Sequence, residues 1–332
     1  MAELTILMPA YNASPYVEEA INSLLNQSFT DFELWFIDDA STDETLSIVA
    51  TLARKDPRIH IFSNAVNRGK LHTINSKVRG VLSPFFTITD ADDVSHPARL
   101  EKQIAKLKSD ASLMMCGTSY AAMDEQGYYV RTVHVPIDIE QIRERSLIQS
   151  AFMGGTMVMR SSLLQNFPEL YRFYFENSMD DADLACRILN LYSVTNLNEL
   201  LYFYRIVPTS ITRAKVTCRS LNIYKLISHL YTIRKSEQKD WLELGDFVSA
   251  DDFMKKIEDD YAKDSTLLHR HRSFFYLYWG QNLLALNSIT KAIIIKPYHL
   301  KTVLSFLLIS MRIMLFYFSR SIKKVHYRAL FK

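Results

Sequence analysis

Three carboxylates, Asp90, Asp92 and Asp93, follow directly on the apolar run of residues 85–89 in FFTITDADDVSHP. Acids at positions i and i+2 after a strand can hold a hard divalent cation. Mg2+ and Mn2+ prefer oxygen ligands and commonly take one or two carboxylates together with substrate phosphates. A D-x-D pair alone is common on solvated surface loops, so its meaning depends on what else reaches the same place. Two further polar segments stand at comparable points: Tyr11–Asn12 after LTILM (4–8) and Pro9, and Asp38–Asp39 after LWFI (34–37).

The elements that must position these groups alternate. LTILM, LWFI, RIHIF (58–62) and FFTIT are each too short for a helix and read as buried strands. Between them, Val17, Ala20, Ile21, Leu24 and Leu25 recur at helical spacing, with Pro15 suited to a first turn. Ser41 and Glu44 have capping-box spacing ahead of Leu46, Ile48, Val49 and Leu52. Helices are also expected over 70–81 and 97–108. Such alternation predicts an α/β fold with a mostly parallel sheet covered on both faces. Ligands in such sheets bind beyond the carboxyl ends of the strands. The three polar segments would then converge on one crevice. From about 111 the pattern loosens into a hairpin turning at Glu125–Gly127 and helical stretches near 138–148, 161–166 and 180–191. Beyond 215 nearly everything has helical periodicity, which divides the chain into 1–215 and a C-terminal helical region, 216–332.

Composition narrows the classes. With 332 residues, 48% hydrophobic and 23% charged, the chain can bury a substantial core. A net charge of +3 is too small to argue for nucleic acid, and no recognisable basic module is present. Cys116, Cys186 and Cys218 have neither disulfide-framework nor zinc spacing and fit a reducing compartment. The start, MAELTILMPAYN, has no signal-peptide pattern. The first strand leads into PAYNASPY, with no G-x-G-x-x-G to admit a dinucleotide pyrophosphate, which argues against a nicotinamide-dependent dehydrogenase. His72, His96 and His134 show no ligand spacing and read as surface or packing residues.

An ordered series of segments resembles the family 2 glycosyltransferases, inverting enzymes of the GT-A fold. It comprises ILMPAYNASPYVEEAINSLLNQSFTDFELWFIDDASTDET, NAVNRGKLHTINSKVRG, TDADDVSHPARL, GGTMVMRSSLL, DDADLACRIL and YFYRIVPTSITR, over roughly residues 3–213. The resemblance implies roles. Pro9, Ala10, Tyr11, Asn12 and Asp39 would hold the nucleotide base, and Asp90 would lie near the ribose. Asp92 would ligate a divalent cation, Mn2+ or Mg2+, that bridges the donor diphosphate. Arg68 and Lys70 would contact phosphate or ribose, and Asp181 would be the catalytic base. The donor implied is a nucleotide sugar, with UDP preferred. The acceptor would be a saccharide or a lipid-linked glycan in cell-surface polysaccharide synthesis. A catalytically silent nucleotide-binding or scaffold module on the same fold is the alternative, and retention of Asp39, Asp92 and Asp181 stands against it. Asp38 has two readings, as a site acid or as a partner for the following helix. Asp93, Asp180 and Asp183 read as acids that support helices. Many relatives carry histidine where this chain has Val207, so metal dependence would rest on the aspartates, with Arg205 or Arg213 supplying charge.

The C-terminal residues 291–332 contain nine Lys or Arg and no acid. Within them TVLSFLLISMRIMLFYF (302–318) is slightly short for a membrane span and is interrupted by Arg312. Lys301, Ser305, Arg312, Ser319 and Lys323 share one helical stripe. This predicts a helix lying on an anionic membrane surface, and hence a cytoplasmic protein peripheral to the inner face of the cell membrane. The alternative is a helix buried against the catalytic domain or in a dimer.

Overall fold

The computed structural model describes residues 1–167, 169–175, 178–207, 216–320 and 325–331, without the side chains of 316–320. It divides into two compact units, residues 1–121 with 132–205 and residues 122–131 with 206–332. The expected boundary at 215 falls in 208–215, outside the described residues.

In the first unit the elements run β1 (Leu4–Ala10), α1 (Val17–Leu25), β2 (Phe32–Asp38), α2 (Thr45–Ala53), β3 (Ile59–Ser63), α3 (Lys70–Val78), β4 (Phe85–Ile88), β5 (Val94–Ser95) and α4 (Arg99–Ser109). They continue through β6 (Leu113–Met123), β7 (Tyr129–Val133), α5 (Ile139–Arg145), β8 (Val158–Arg160), α6 (Asp180–Leu191) and β9 (Ser193–Arg205). The mixed sheet has the order β3-β2-β1-β4-β8-β6-β9-β5, with β7 on β6. The pairs β2–β3, β1–β2 and β1–β4 are parallel, whereas β4–β8, β6–β8 and β5–β9 are antiparallel.

All seven residues of β1 are buried, as expected of a central strand covered on both faces. Leu4, Ile6, Met8, Leu34 and Phe36 pack with Val17, Ile21 and Leu24 of α1 and with Leu100, Ile104 and Leu107 of α4. One local expectation fails for a physical reason. The Ser41–Glu44 capping box does not form, because the Ser41 hydroxyl accepts the Asn12 amide instead and α2 begins at Thr45. The helical stretch expected near 161–166 is a 3-10 helix over Ser161–Gln165. The 13-residue β9 lies where the sequence shows no clean alternation, SVTNLNELLYFYR.

The second unit contains α7 (Cys218–Glu237), α8 (Phe247–Lys263), α9 (Leu267–Tyr278), α10 (Asn282–Ile295) and α11 (Leu300–Arg320). Thr217 caps α7 through a reciprocal box with Ser220. Ala285, Ile289 and Ala292 of α10 pack on Ile309 of α11, with Phe306 and Ile313 beside them. The tip of the β6–β7 hairpin belongs here: Tyr129 N donates to Val325 O (2.8 Å) and Tyr327 N to Gly127 O (2.9 Å). Gly127 has φ +83, and a Cβ on it would come within 2.8 Å of His326 Nε2.

Candidate active site

The carboxyl ends of β1, β2 and β4 carry the site residues. Ala10 lies opposite Asp38 in the parallel register, so the two chains leave the sheet together. Pro9 and Ala10 are buried within β1, and Tyr11 and Asn12 turn outward. Asn12 adopts φ +52, a left-handed conformation that asparagine tolerates. Its Oδ1 accepts from Thr42 N (2.8 Å) while its N–H donates to Ser41 Oγ (3.0 Å), fixing the β1 loop to the β2 loop. Asp38 accepts Ser41 N at 3.2 and 3.3 Å, which makes it the acid of a local turn.

Asp39 is a hub. Its Oδ1 accepts Asn64 Nδ2 (2.7 Å) and Arg68 N (2.9 Å), and its Oδ2 accepts Gly69 N (2.7 Å). Burial would raise its pKa, but these bonds outweigh burial and hold it below the ordinary value. An ionised carboxylate offers about four acceptor directions, so Oδ2 keeps room for one further N–H donor. Arg68 reaches Asp39 through its backbone, and the residue is exposed.

Lys70 opens α3 and places Nζ 2.6 Å from Asp90 Oδ1. Burial disfavours the ammonium, yet the carboxylates of Asp90 and Asp180 keep its pKa well above the ordinary lysine value. Lys70 thus lies in the field of two acidic runs 90 residues apart in the chain. Burial first, and then the Asp90 charge, push Asp92 up to about 6. Asp93 turns inward, accepting Tyr202 OH (2.8 Å) and Arg205 N (2.7 Å). Arg205, expected to supply charge, lies beside Asp92, and its charge with that of Lys70 opposes the upward push of burial there. It donates to the Asp92 carbonyl (2.8 Å) and pairs with Glu19 (2.6 Å), with 3% of its side chain exposed. Arg213 lies outside the described residues.

Asp181 stands in the first turn of α6, after Met179 at φ +60. Its Oδ2 accepts Gly154 N (2.8 Å) and its Oδ1 accepts Ala182 N (2.9 Å). Burial raises its pKa despite these bonds and nearby Lys70. Asp180, expected to be an ordinary helix-terminal acid, is buried and pushed up to about 7, by burial and by the Asp181 charge. Asp183 is fully buried between Arg172 and Arg187 (Nε–Oδ2 2.9 and 3.0 Å). Sequence reasoning attached no role to Gly154, although the GGT segment was part of the family resemblance. A Cβ on Gly154 would lie 2.9 Å from Asp181 Oδ2, so only glycine permits this approach.

Among the described residues no group of three His, Cys, Asp or Glu forms a complete metal cage. The donor set fits a hard cation nonetheless. Asp92 offers carboxylate oxygens in a locally acidic position, and Mg2+ or Mn2+ ordinarily completes its shell with water and substrate phosphate.

The profile of the Glycosyl transferase family 2 matches residues 5–167. EpsE of Bacillus subtilis, a glycosyltransferase by name, is 30% identical over 207 residues, covering 61% of this chain and 73% of EpsE. TuaG of the same organism, by name a teichuronic acid biosynthesis glycosyltransferase, is 25% identical over 237 residues, 70% of this chain and 90% of TuaG. The structure of Staphylococcus aureus TarS residues 1–349 in complex with UDP-GlcNAc is similar in fold. It has a TM-score of 0.58 and 17% identity, over 88% of this chain and 80% of that one. Sequence relatives, sheet order and strand-end acids agree: the chain belongs to glycosyl transferase family 2, a glycosyltransferase of the GT-A fold.

Proposed function

We propose that the protein transfers a sugar, with inversion, from a nucleotide-sugar donor to a saccharide or lipid-linked acceptor in cell-surface polysaccharide synthesis. The observation that carries this reading is the Lys70–Asp90 ion pair (2.6 Å) beyond the end of β4, with Asp180 and Asp181 close enough for their charges to act on Lys70 or be acted on by it. The relationship to TuaG, named for teichuronic acid biosynthesis, supports the polysaccharide class, and the TarS complex with UDP-GlcNAc supports a uridine donor.

In this mechanism Pro9–Asn12 and Asp39 receive the base, Asp39 through the acceptor capacity left on Oδ2. Arg68, Lys70 and Asp90 line the ribose and phosphate side. A divalent cation held by Asp92 would supply Lewis-acid stabilisation of the departing diphosphate. Asp181, oriented by the Gly154 amide, takes the proton of the acceptor hydroxyl as it attacks the anomeric carbon. One displacement with no covalent intermediate inverts that carbon. Calorimetric titration with UDP, GDP and dTDP, with and without Mn2+, tests the donor side. Metal-dependent binding of UDP that is lost in Asp92→Ala is expected. Folded protein that binds none of the three would favour the silent-module reading.

The second unit supports a peripheral position on the cytoplasmic membrane face. No described helix is long and apolar enough to cross a bilayer. However, α11 exposes Leu304 (56%), Leu307 (58%), Met311 (48%), Met314 (67%) and Leu315 (59%) opposite its packed Ile309. Exposed Lys301 and Arg312 border that strip at helical spacing, and residues 265–332 contain no acid. Full-length protein should sediment with vesicles containing an anionic lipid, and Leu307→Glu with Met314→Glu should release it. Unchanged sedimentation of that double variant would remove the reading.

A further inference from the structure

Helix α4 begins six residues after Asp93 and carries two polar side chains on the face that packs into the core, Arg99 and Gln103, both fully buried. At i and i+4 they lie one turn apart on the same side. Arg99 Nη1 donates to Gly155 O (2.8 Å), and Gln103 Nε2 donates to Thr156 O (2.7 Å) and to Cys116 O. Consecutive carbonyls of the 154–156 turn are therefore held from one helix. The first N–H of that turn, Gly154, is the donor to Asp181 Oδ2. The turn is also confined from the side of β9. A Cβ on Gly155 would run into the Tyr202 hydroxyl, which in turn donates to Asp93.

A buried guanidinium is an expensive way to fill a core position. Arg99 lies over the Tyr202 ring at 5.3 Å, and among the described residues its Nε and Nη2 have no hydrogen-bond partner. A methionine would pack there without that desolvation cost. What arginine adds, besides its stacking on the Tyr202 ring, is a directed bond to the Gly155 carbonyl.

We propose that Arg99 and Gln103 are positioning residues for the general base: through the Gly155 and Thr156 carbonyls they aim the Gly154 N–H at Asp181. The inference rests on the reading of Asp181 as the base. It also gives α4 a mechanical task, because the helix that leaves the Asp90–Asp93 loop holds the group that orients the base. Donor side and acceptor side are then built on one rigid element, as a single displacement requires.

The chain contains eight glycines, so 15N-glycine labelling yields eight backbone amide signals. Two report on the site: Gly154, bonded to Asp181, and Gly69, bonded to Asp39. The signal whose pH dependence disappears in Asp181→Asn is Gly154. In Arg99→Met that signal should lose its downfield shift and its titration, while Gly69 stays in place. Gln103→Leu should give the same loss, more weakly, and it carries the test if Arg99→Met does not fold. Arg99→Lys, able to donate to the same carbonyl, should restore part of the titration. A wild-type Gly154 signal in a folded Arg99→Met or Gln103→Leu variant overturns the proposal, as does the absence of any glycine signal that responds to Asp181→Asn. Donor turnover by Asp181→Asn is a separate result. If retained, it removes the base reading, while the glycine signals still report whether α4 holds the turn.

Discussion

The two acidic runs, Asp90–Asp93 and Asp180–Asp183, each send their last carboxylate, Asp93 and Asp183, into the interior, but they anchor it differently. Asp183 sits between Arg172 and Arg187, so its charge is balanced. Asp93 receives the Tyr202 hydroxyl and the Arg205 N–H, donors that carry no net charge. Burial and the charges of Asp92 and Asp90 accordingly push the Asp93 carboxyl well above the ordinary range. The anchor of the α6 run is thus held by two guanidinium groups, whereas the anchor of the β4–β5 run is held by neutral donors. An ion pair immobilises the start of α6, whereas in the β4–β5 loop the positive charge of Lys70 falls on Asp90 and the Asp93 carboxyl is left to neutral donors.

That difference predicts unequal costs for the same chemical change. Asp183→Asn removes the charge that two guanidinium groups face in a buried site, and breaking such a pair typically costs about 3–5 kcal/mol. Loss of that much stability, read from urea unfolding, is the largest effect expected. Asp93→Asn should cost only about 1 kcal/mol, because the group is already driven toward its neutral form. Equal losses at the two positions would break the comparison.

Asp181→Asn should lower transfer by about 10^2–10^4-fold, the usual worth of a positioned base, without altering nucleotide affinity. The pH profile follows from the direction of the shift. A base acts only when deprotonated, and burial raises Asp181 above 3.8, so activity must fall as pH drops through the raised value. Asp180, pushed up to about 7, shares that field, and the two titrate together. The acid limb of kcat should therefore have its midpoint above the ordinary carboxylate value of 3.8. A limb at or below the ordinary carboxylate value would place the base elsewhere.

How much of this could be read in advance depends on the range of the interaction. LTILM, LWFI and FFTIT are buried on both faces and end at polar residues, so the strands and the acids beyond them are written locally. The Gly154–Asp181 bond joins residues 27 apart, and Arg99 reaches a carbonyl 56 residues away. No periodicity encodes such pairings. Gln103 is hidden for a related reason. It shares a face with Leu100, Ile104 and Leu107, where an apolar pattern says only that the side is buried. Ser41 shows the reverse error: its spacing to Glu44 is correct for a cap, but the hydroxyl meets Asn12 first. Arg205 was legible as a source of charge but not by its partners, because neither Glu19 nor the Asp92 carbonyl is near it in sequence.

The smallest effect sharpens the comparison within a single pair of neighbours. Asp38 and Asp39 are adjacent and both buried, yet Asp38 accepts one N–H over 3.2 and 3.3 Å, whereas Asp39 accepts three donors at 2.7–2.9 Å. Bonds as long as those of Asp38 contribute little, and an asparagine oxygen can replace them. Asp38→Asn should therefore cost less than about 1 kcal/mol and leave UDP affinity unchanged. Asp39→Asn is the contrasting case. An amide has one acceptor oxygen where the carboxylate has two, so either Gly69 N or the Asn64–Arg68 side is left without its acceptor. The 64–69 loop then loosens, and the acceptor capacity proposed for the base is lost with it. UDP affinity should fall in Asp39→Asn and not in Asp38→Asn, measured in one calorimetric series. Equal affinities would mean that the base is held by Tyr11 and the strand ends alone.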